Sequence, residues 1–304
     1  MRVTGHGGTG LNVVDFGGDG PAILLLHGLT GRAANWTATA RWLTRHGRVV
    51  AYDARGHGHS DKPDGPYDRA AYVGDAIAVI EALDLAPALV VGHSMGGLTA
   101  WQLAGARPDL VRGVVIVDMN PVTPPDLVDR WRRWLADWPV PFPTLADVRD
   151  YFGAARPTEG ESFVEVMAGG PDGWRPLARP AHVLASLAHW AARDHRPELG
   201  SVRCPALVVA GAESDQPVDR QREMAALLPD GRFALVPDAE RSALRQPGRL
   251  ARRRRALRRR ADPGPRVGVT VGRGRRRGPA REAPGPCRTG RVSCRRRSPR
   301  PVRR

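Results

Sequence analysis

Residues 90–97 read Val-Val-Gly-His-Ser-Met-Gly-Gly, which contains the pattern Gly92-x-Ser94-x-Gly96. An apolar run precedes it (88–91) and a helical pattern follows it (95–106). A serine on so tight a strand-to-helix turn is lifted above the sheet edge, and small neighbours are needed because backbone passes close on both sides. The helix behind such a serine points unpaired N–H groups at the site, where they favour a developing anion. The chemistry this suits is nucleophilic attack by Ser94 on a carbonyl carbon. That chemistry also needs a base for the serine proton and an acid to orient the base. The base is the difficulty. The nine histidines are His6, His27, His46, His57, His59, His93, His182, His189 and His195, and none follows residue 195.

The elements that must position these groups alternate. Short apolar runs at 22–27, 48–53, 88–94, 111–118, 205–211 and 232–237 are separated by longer stretches of helical periodicity, such as 67–85. Continuous apolar runs of this length suit strands buried on both faces, and the β–α rhythm predicts a parallel sheet with helices on both sides. Residues 11–16 alternate like an early antiparallel strand. Residues 121–200 break the rhythm with a stretch rich in Trp and Pro, without a strand-like run, and are read as a helical lid inserted after the sixth strand. The predicted division is a core over 1–120, the lid over 121–200, the rest of the core over 201–250 and an Arg-rich tail over 251–304.

Four stretches together resemble the α/β-hydrolase superfamily: LLLHGLTG (24–31), YDARGHGHSDKP (52–63), VVGHSMGG (90–97) and PALVVAGAESD (205–215). The resemblance implies an α/β fold with an eight-stranded, mostly parallel sheet, a helical cap after the sixth strand, and a Ser–acid–His triad in that chain order. It implies Ser94 as nucleophile, Asp215 as acid with Asp118 as the alternative, and an oxyanion hole formed by the backbone amides of Leu29 and Met95. His27 and Gly28 shape that loop. Trp131, Trp134, Trp138 and Phe142 either wall an apolar pocket or form the lid's own core. Dehalogenases and epoxide hydrolases on this pattern use Asp where Ser94 stands, so esters, lactones and similar small acyl compounds fit better. Haloperoxidase-like enzymes and carbon–carbon bond hydrolases share the Ser triad and remain alternatives. No cofactor or metal is implied.

Where relatives carry Gly-His after the last strand, this chain has Glu240-Arg241. A guanidinium stays protonated and cannot take a proton from serine. The chain of 304 residues carries a net charge of +16. Residues 251–304 hold 21 Arg against Asp262 and Glu282, a surplus of 19, and removing it from +16 leaves −3 for the first 250 residues. The basic balance therefore belongs to the tail and says nothing of the folded part. The tail has no aromatic residue and few large apolar ones, and such a composition predicts disorder and the loss of the last core helix. Two explanations stand. A reading frame displaced near residue 240 in GC-rich DNA would produce this Arg, Pro and Gly text and remove the histidine and the final helix in one event. Alternatively the tail is a basic arm on a non-catalytic ligand-binding relative, with non-specific, salt-sensitive attraction to nucleic acid. Three scattered cysteines (Cys204, Cys287, Cys294), no apolar leader and no long apolar run predict a cytoplasmic protein without a membrane span, acting on a small molecule. Oligomeric state is not legible.

Overall fold

The fold, a computed structural model, describes residues 1–237 except 155, 156 and 192. Arg241, the Arg-rich tail and the question of a final core helix lie outside the described residues.

The main sheet is built from β1 (Arg2–Thr4), β2 (Gly10–Gly17), β3 (Ile23–Leu26), β4 (Val49–Tyr52), β5 (Ala88–His93), β6 (Val111–Val117), β9 (Ala206–Gly211) and β10 (Gly231–Val236). Their order across the sheet is β1-β2-β4-β3-β5-β6-β9-β10. The pairs β1–β2 and β2–β4 are antiparallel, and every other pair is parallel. The apolar runs form strands because each is covered on both faces. Leu24 and Leu26 of β3 face one side with Val90, Ile116 and Val208, under α2 (Arg69–Ala82), α3 (Met95–Ala106) and α9 (Val218–Leu227). Leu25 faces the other with Val91, Val117 and Val209, under Trp36, Ala40 and Leu43 of the 3-10 turn Ala33–Trp36 and α1 (Thr37–Leu43). Helix α2 starts where Asp68 accepts a hydrogen bond from the Ala71 amide at 2.8 Å, an N-cap that satisfies one of the helix's orphan donors. Arg55, in the loop after β4, is fully buried against Asp75 of α2, and this pair ties the loop to the helix.

Between β6 and β9 lie α4 (Leu127–Ala136), α5 (Leu145–Gly153), α6 (Pro157–Val164), β7 (Met167–Gly170), β8 (Gly173–Pro176), α7 (Pro180–Ala191) and the single turn α8 (Arg196–Leu199). The sequence reading anticipates helices here but not the antiparallel β7–β8 hairpin. Its turn, Pro171-Asp172 followed by Gly173, carries the Pro-Asp-Gly signal that could have revealed it. The glycines at 169, 170 and 173 hide the alternation by which a strand is normally recognised. The hairpin is extended by Phe142, whose amide and carbonyl pair with those of Trp174 at 2.9 and 2.7 Å. The short β1 was likewise not anticipated. Its three residues are too few to show periodicity. None of the helices among the described residues is long and apolar enough to cross a membrane.

Candidate active site

The strand registers bring one end of the sheet flush. Leu26 of β3 lies opposite Gly92 of β5, and His93 of β5 lies opposite Val117 of β6. The residues that leave these strands, His27, Ser94 and Asp118, therefore emerge along one edge. This is the carboxyl end of the parallel strands, where open α/β sheets place their ligands.

Ser94 sits between β5 and α3 with φ 50° and ψ −117°, a conformation a residue with a Cβ adopts only when its surroundings impose it. Its amide donates to the Val117 carbonyl at 2.9 Å, and its carbonyl accepts from Leu98 at 3.1 Å, which starts α3. The glycines beside it are steric requirements. A Cβ at Gly92 would run into the Gly96 carbonyl, and one at Gly96 into the Leu26 carbonyl. Ser94 itself is half-buried. Met95 is the first residue of α3, so its N–H has no partner within the helix.

The loop after β3 approaches from the side. A Cβ at Gly28 would lie 3.3 Å from that of Ser94 and 2.7 Å from Nδ1 of His93. This places the backbone leading into Leu29 directly beside the serine. His27 is buried with both ring nitrogens engaged: Nε2 accepts from the Ala54 amide at 2.9 Å, and Nδ1 donates to the Gly28 carbonyl at 2.8 Å. Burial holds its pKa below the ordinary range. His27 thus braces the loop and has no ring nitrogen left to receive a proton.

His57 packs against it, ring centroids 5.3 Å apart, and donates from Nδ1 to the Arg55 carbonyl at 2.9 Å. Burial, reinforced by the neighbouring His27, pushes its pKa down to about 3, whereas an exposed histidine titrates near about 6.5. Between those values the unfolded chain binds the extra proton. The stability contributed by neutral His57 is thus complete above about pH 6.5 and is lost as pH falls toward 3, at up to about 1.4 kcal/mol per pH unit. Urea unfolding at pH 7, 6, 5 and 4 should show this slope reduced in His57→Asn, which keeps a donor for the Arg55 carbonyl and cannot take up the proton. Parallel slopes in both proteins would contradict it.

The two candidate acids differ in setting. Asp118 follows β6 directly, is 4 % exposed and has φ 54°. Its amide donates to the Val209 carbonyl at 2.9 Å, and its Oδ1 accepts from Ser214 Oγ and from Gln221 Nε2 at 3.3 Å. Gln216 supports the same cluster. Its amide donates to Ser214 Oγ at 2.9 Å, and its side chain accepts from Asn120 at 2.8 Å. Asp215 is exposed in the loop after β9.

The aromatic residues of the inserted segment pack mainly on one another. Trp138 and Phe142 are buried, Phe152 stacks on Phe163 at 3.7 Å, and Trp134 contacts Trp131, Trp138 and both phenylalanines edge-on. The segment reaches the serine's neighbourhood through Ser186 of α7, which bonds Tyr72 of α2 and lies 3.8 Å from the Met95 sulfur. Neither Ser186 nor Tyr72 stood out in the sequence, because a lone serine or tyrosine on a helix carries no local signature. His195 has both ring nitrogens 3.0 Å from acceptors, Glu198 Oε1 and the Trp190 carbonyl.

A model of the alpha/beta hydrolase family matches residues 23–254. The chain is 30% identical over 230 residues to the 2-(acetamidomethylene)succinate hydrolase of Mesorhizobium japonicum, covering 73% of this chain and 82% of that one. It is 30% identical over 267 residues to a fluoroacetate dehalogenase of a Burkholderia species, covering 78% and 86%. Among solved structures, E-2-(acetamidomethylene)succinate hydrolase superposes with a TM-score of 0.74 at 28% identity, over 84% of this chain and 97% of that one. The enol-lactonase of Burkholderia xenovorans superposes with 0.67 at 25% identity, over 85% and 98%.

Proposed function

The chain belongs to the alpha/beta hydrolase family, and we propose that within it this protein has the site of a serine hydrolase for small carboxylic esters, lactones or related acyl compounds. The observation that carries the reading is the strained turn that lifts half-buried Ser94 between β5 and the start of α3. Ser94 Oγ attacks the carbonyl carbon, and the carbonyl oxygen takes up the negative charge facing the amides of Leu29 and Met95. One such donor contributes about 3–4 kcal/mol to the transition state. The C–O bond to the leaving oxygen then breaks as that oxygen takes the proton given up by the Ser94 hydroxyl. Water adds to the acyl carbon and breaks its bond to Oγ, so that the free acid leaves and Ser94 regains its proton. The relatives' names point the same way: one is a hydrolase, another a lactonase. Halide displacement, the activity in the name of the dehalogenase relative, is disfavoured by a serine at the elbow.

We assign the acid role to Asp118 rather than Asp215. Asp118 is buried, held by two donors, and emerges from the strand paired with that of Ser94. Asp215 is exposed. We read residues 121–200 as a lid whose aromatic side chains form its own core. Arg241, at the expected position of the base in the sequence, cannot accept the serine proton. The chain as written is therefore a slow enzyme whose binding and oxyanion machinery outlasts its base. A non-catalytic ligand-binding protein is the second reading, and the lack of any histidine beyond residue 195 favours it.

A fluorophosphonate probe separates the two, since it reports an activated serine without requiring turnover. Slow covalent labelling of the peptide containing Ser94, lost in Ser94→Ala, is the expected result. No labelling after prolonged incubation, or labelling that persists in Ser94→Ala, would leave only the binding protein.

A further inference from the structure

The two points at which the chain enters and leaves the inserted segment meet at one residue. The His195 amide donates to the carbonyl of Pro121, at the segment's start, at 2.9 Å. Its Nε2 lies 3.0 Å from the carbonyl of Trp190, at the end of α7, and its Nδ1 3.0 Å from Glu198 Oε1. His195 is 1 % exposed, so these contacts are shielded from competing water. The other oxygen of Glu198 faces helix α3, accepting from Gln102 Nε2 at 2.9 Å and Trp101 Nε1 at 3.3 Å.

The connection does not stop there. Gln102 Oε1 accepts from Arg69 Nε at 2.9 Å, and Arg69 Nη2 donates to Thr99 Oγ1 at 2.5 Å. Thr99 Oγ1 in turn donates to the Met95 carbonyl at 3.0 Å. Burial lowers the Arg69 guanidinium to about 10, so it remains charged at neutral pH. One uninterrupted series of hydrogen bonds thus runs from both roots of the inserted segment to the backbone of the residue after Ser94. Most of its members are buried, where each bond is strong and each broken bond leaves a costly unpaired group.

We propose that His195 and Glu198 form the hinge on which the inserted segment moves, and that Gln102, Arg69 and Thr99 carry the state of this hinge to the Met95 backbone. His195 and Glu198 are positioning residues. They do not touch a substrate, but set the placement of the segment above the site and of the amide that receives the oxyanion. The role given to that amide rests on the serine-hydrolase reading. The hinge and the restraint on Met95 do not.

A contiguous network is a physical route for coupling, and perturbation at one end read at the other is what demonstrates it. Hydrogen exchange followed by mass spectrometry on the full chain supplies that reading, because local opening shows as faster exchange confined to the parts that open. In Glu198→Ala, exchange should rise at least about tenfold in α4 and α7 and also at the first turn of α3, with β3 and β4 unchanged. In Thr99→Val, where the last two links are cut because Oγ1 both accepts from Arg69 and donates to the Met95 carbonyl, the first turn of α3 should speed up while α4 and α7 keep their wild-type rates. Unchanged α4 and α7 in Glu198→Ala would overturn the hinge. A uniform acceleration that includes β3 and β4 would do the same, since it marks general destabilisation. Faster α4 and α7 with an unaltered first turn of α3 would overturn the link to Met95. None of these readings depends on Ser94 reacting, so failure of the fluorophosphonate experiment and failure of this one are separate results.

Discussion

Glu240→Gly together with Arg241→His should raise the hydrolysis of p-nitrophenyl acetate by about 10³-fold or more over the chain as written. Removing the base from a serine triad costs several orders of magnitude in rate, because the hydroxyl proton then has no acceptor in the transition state. Putting an imidazole back reverses that loss if the rest of the machinery is in place. On the serine-hydrolase reading, the elbow, the loop after β3 and buried Asp118 are the parts that remain. The gain should carry two signatures. It should vanish when Ser94→Ala is added, because the new base has only that hydroxyl to activate. It should also rise with pH through about 6.5, as a neutral imidazole replaces an imidazolium. A guanidinium gives no such limb, since it stays protonated throughout. The measurement is kcat/KM as a function of pH for the three proteins. An unchanged rate, or a gain that survives Ser94→Ala, would show that residue 241 does not occupy the place of the base or that Ser94 is not the nucleophile.

Asp75→Asn should destabilise the fold by about 3–5 kcal/mol, the range found when one partner of a buried ion pair is removed. Arg55 donates to both oxygens of Asp75 at 2.7 Å, with the two side chains 1 % and 0 % exposed. Arg55 also reaches the carbonyls of Pro66 and His6, each at 2.9 Å, and the His6 amide donates to Asp75 at 2.9 Å. One pair thus joins the loop after β4, the N-terminal turn and α2. With asparagine at 75 the guanidinium keeps its charge inside the protein without a counter-charge, and that penalty dominates the loss of the bond itself. Replacing both residues by apolar ones, as in Arg55→Met with Asp75→Leu, should cost far less than Asp75→Asn alone. The urea midpoints of the three proteins test this. A loss below about 1 kcal/mol for Asp75→Asn, or a double variant less stable than the single one, would refute it. The consequence reaches the site, because the same loop supplies the Ala54 amide that fixes His27 beside Gly28.

Much of the architecture is local information. Continuous apolar runs such as 22–27 and 88–94 become strands because they can be covered on both faces only within a parallel sheet. The Gly92-x-Ser94-x-Gly96 turn follows from backbone crowding that no larger residue tolerates. The hairpin between β7 and β8 escaped because its glycines erase the alternation of side chains, although Pro171-Asp172-Gly173 marks its turn.

By itself, then, the sequence determined the strand–turn–helix unit around Ser94, the alternation that builds the sheet, and the lack of any histidine after residue 195. Each is a property of neighbouring residues or of composition. The tertiary structure alone decided that Asp118 is buried and Asp215 exposed, which groups the rings of His27 and His57 bond, and that His195 gathers both roots of the inserted segment. Those roles depend on partners far away in the chain, such as Ser214 for Asp118 and Gln102 for Glu198. A side chain's chemistry follows from its burial and from the donors around it, and folding assembles both from segments whose order along the chain does not reveal which of them will meet.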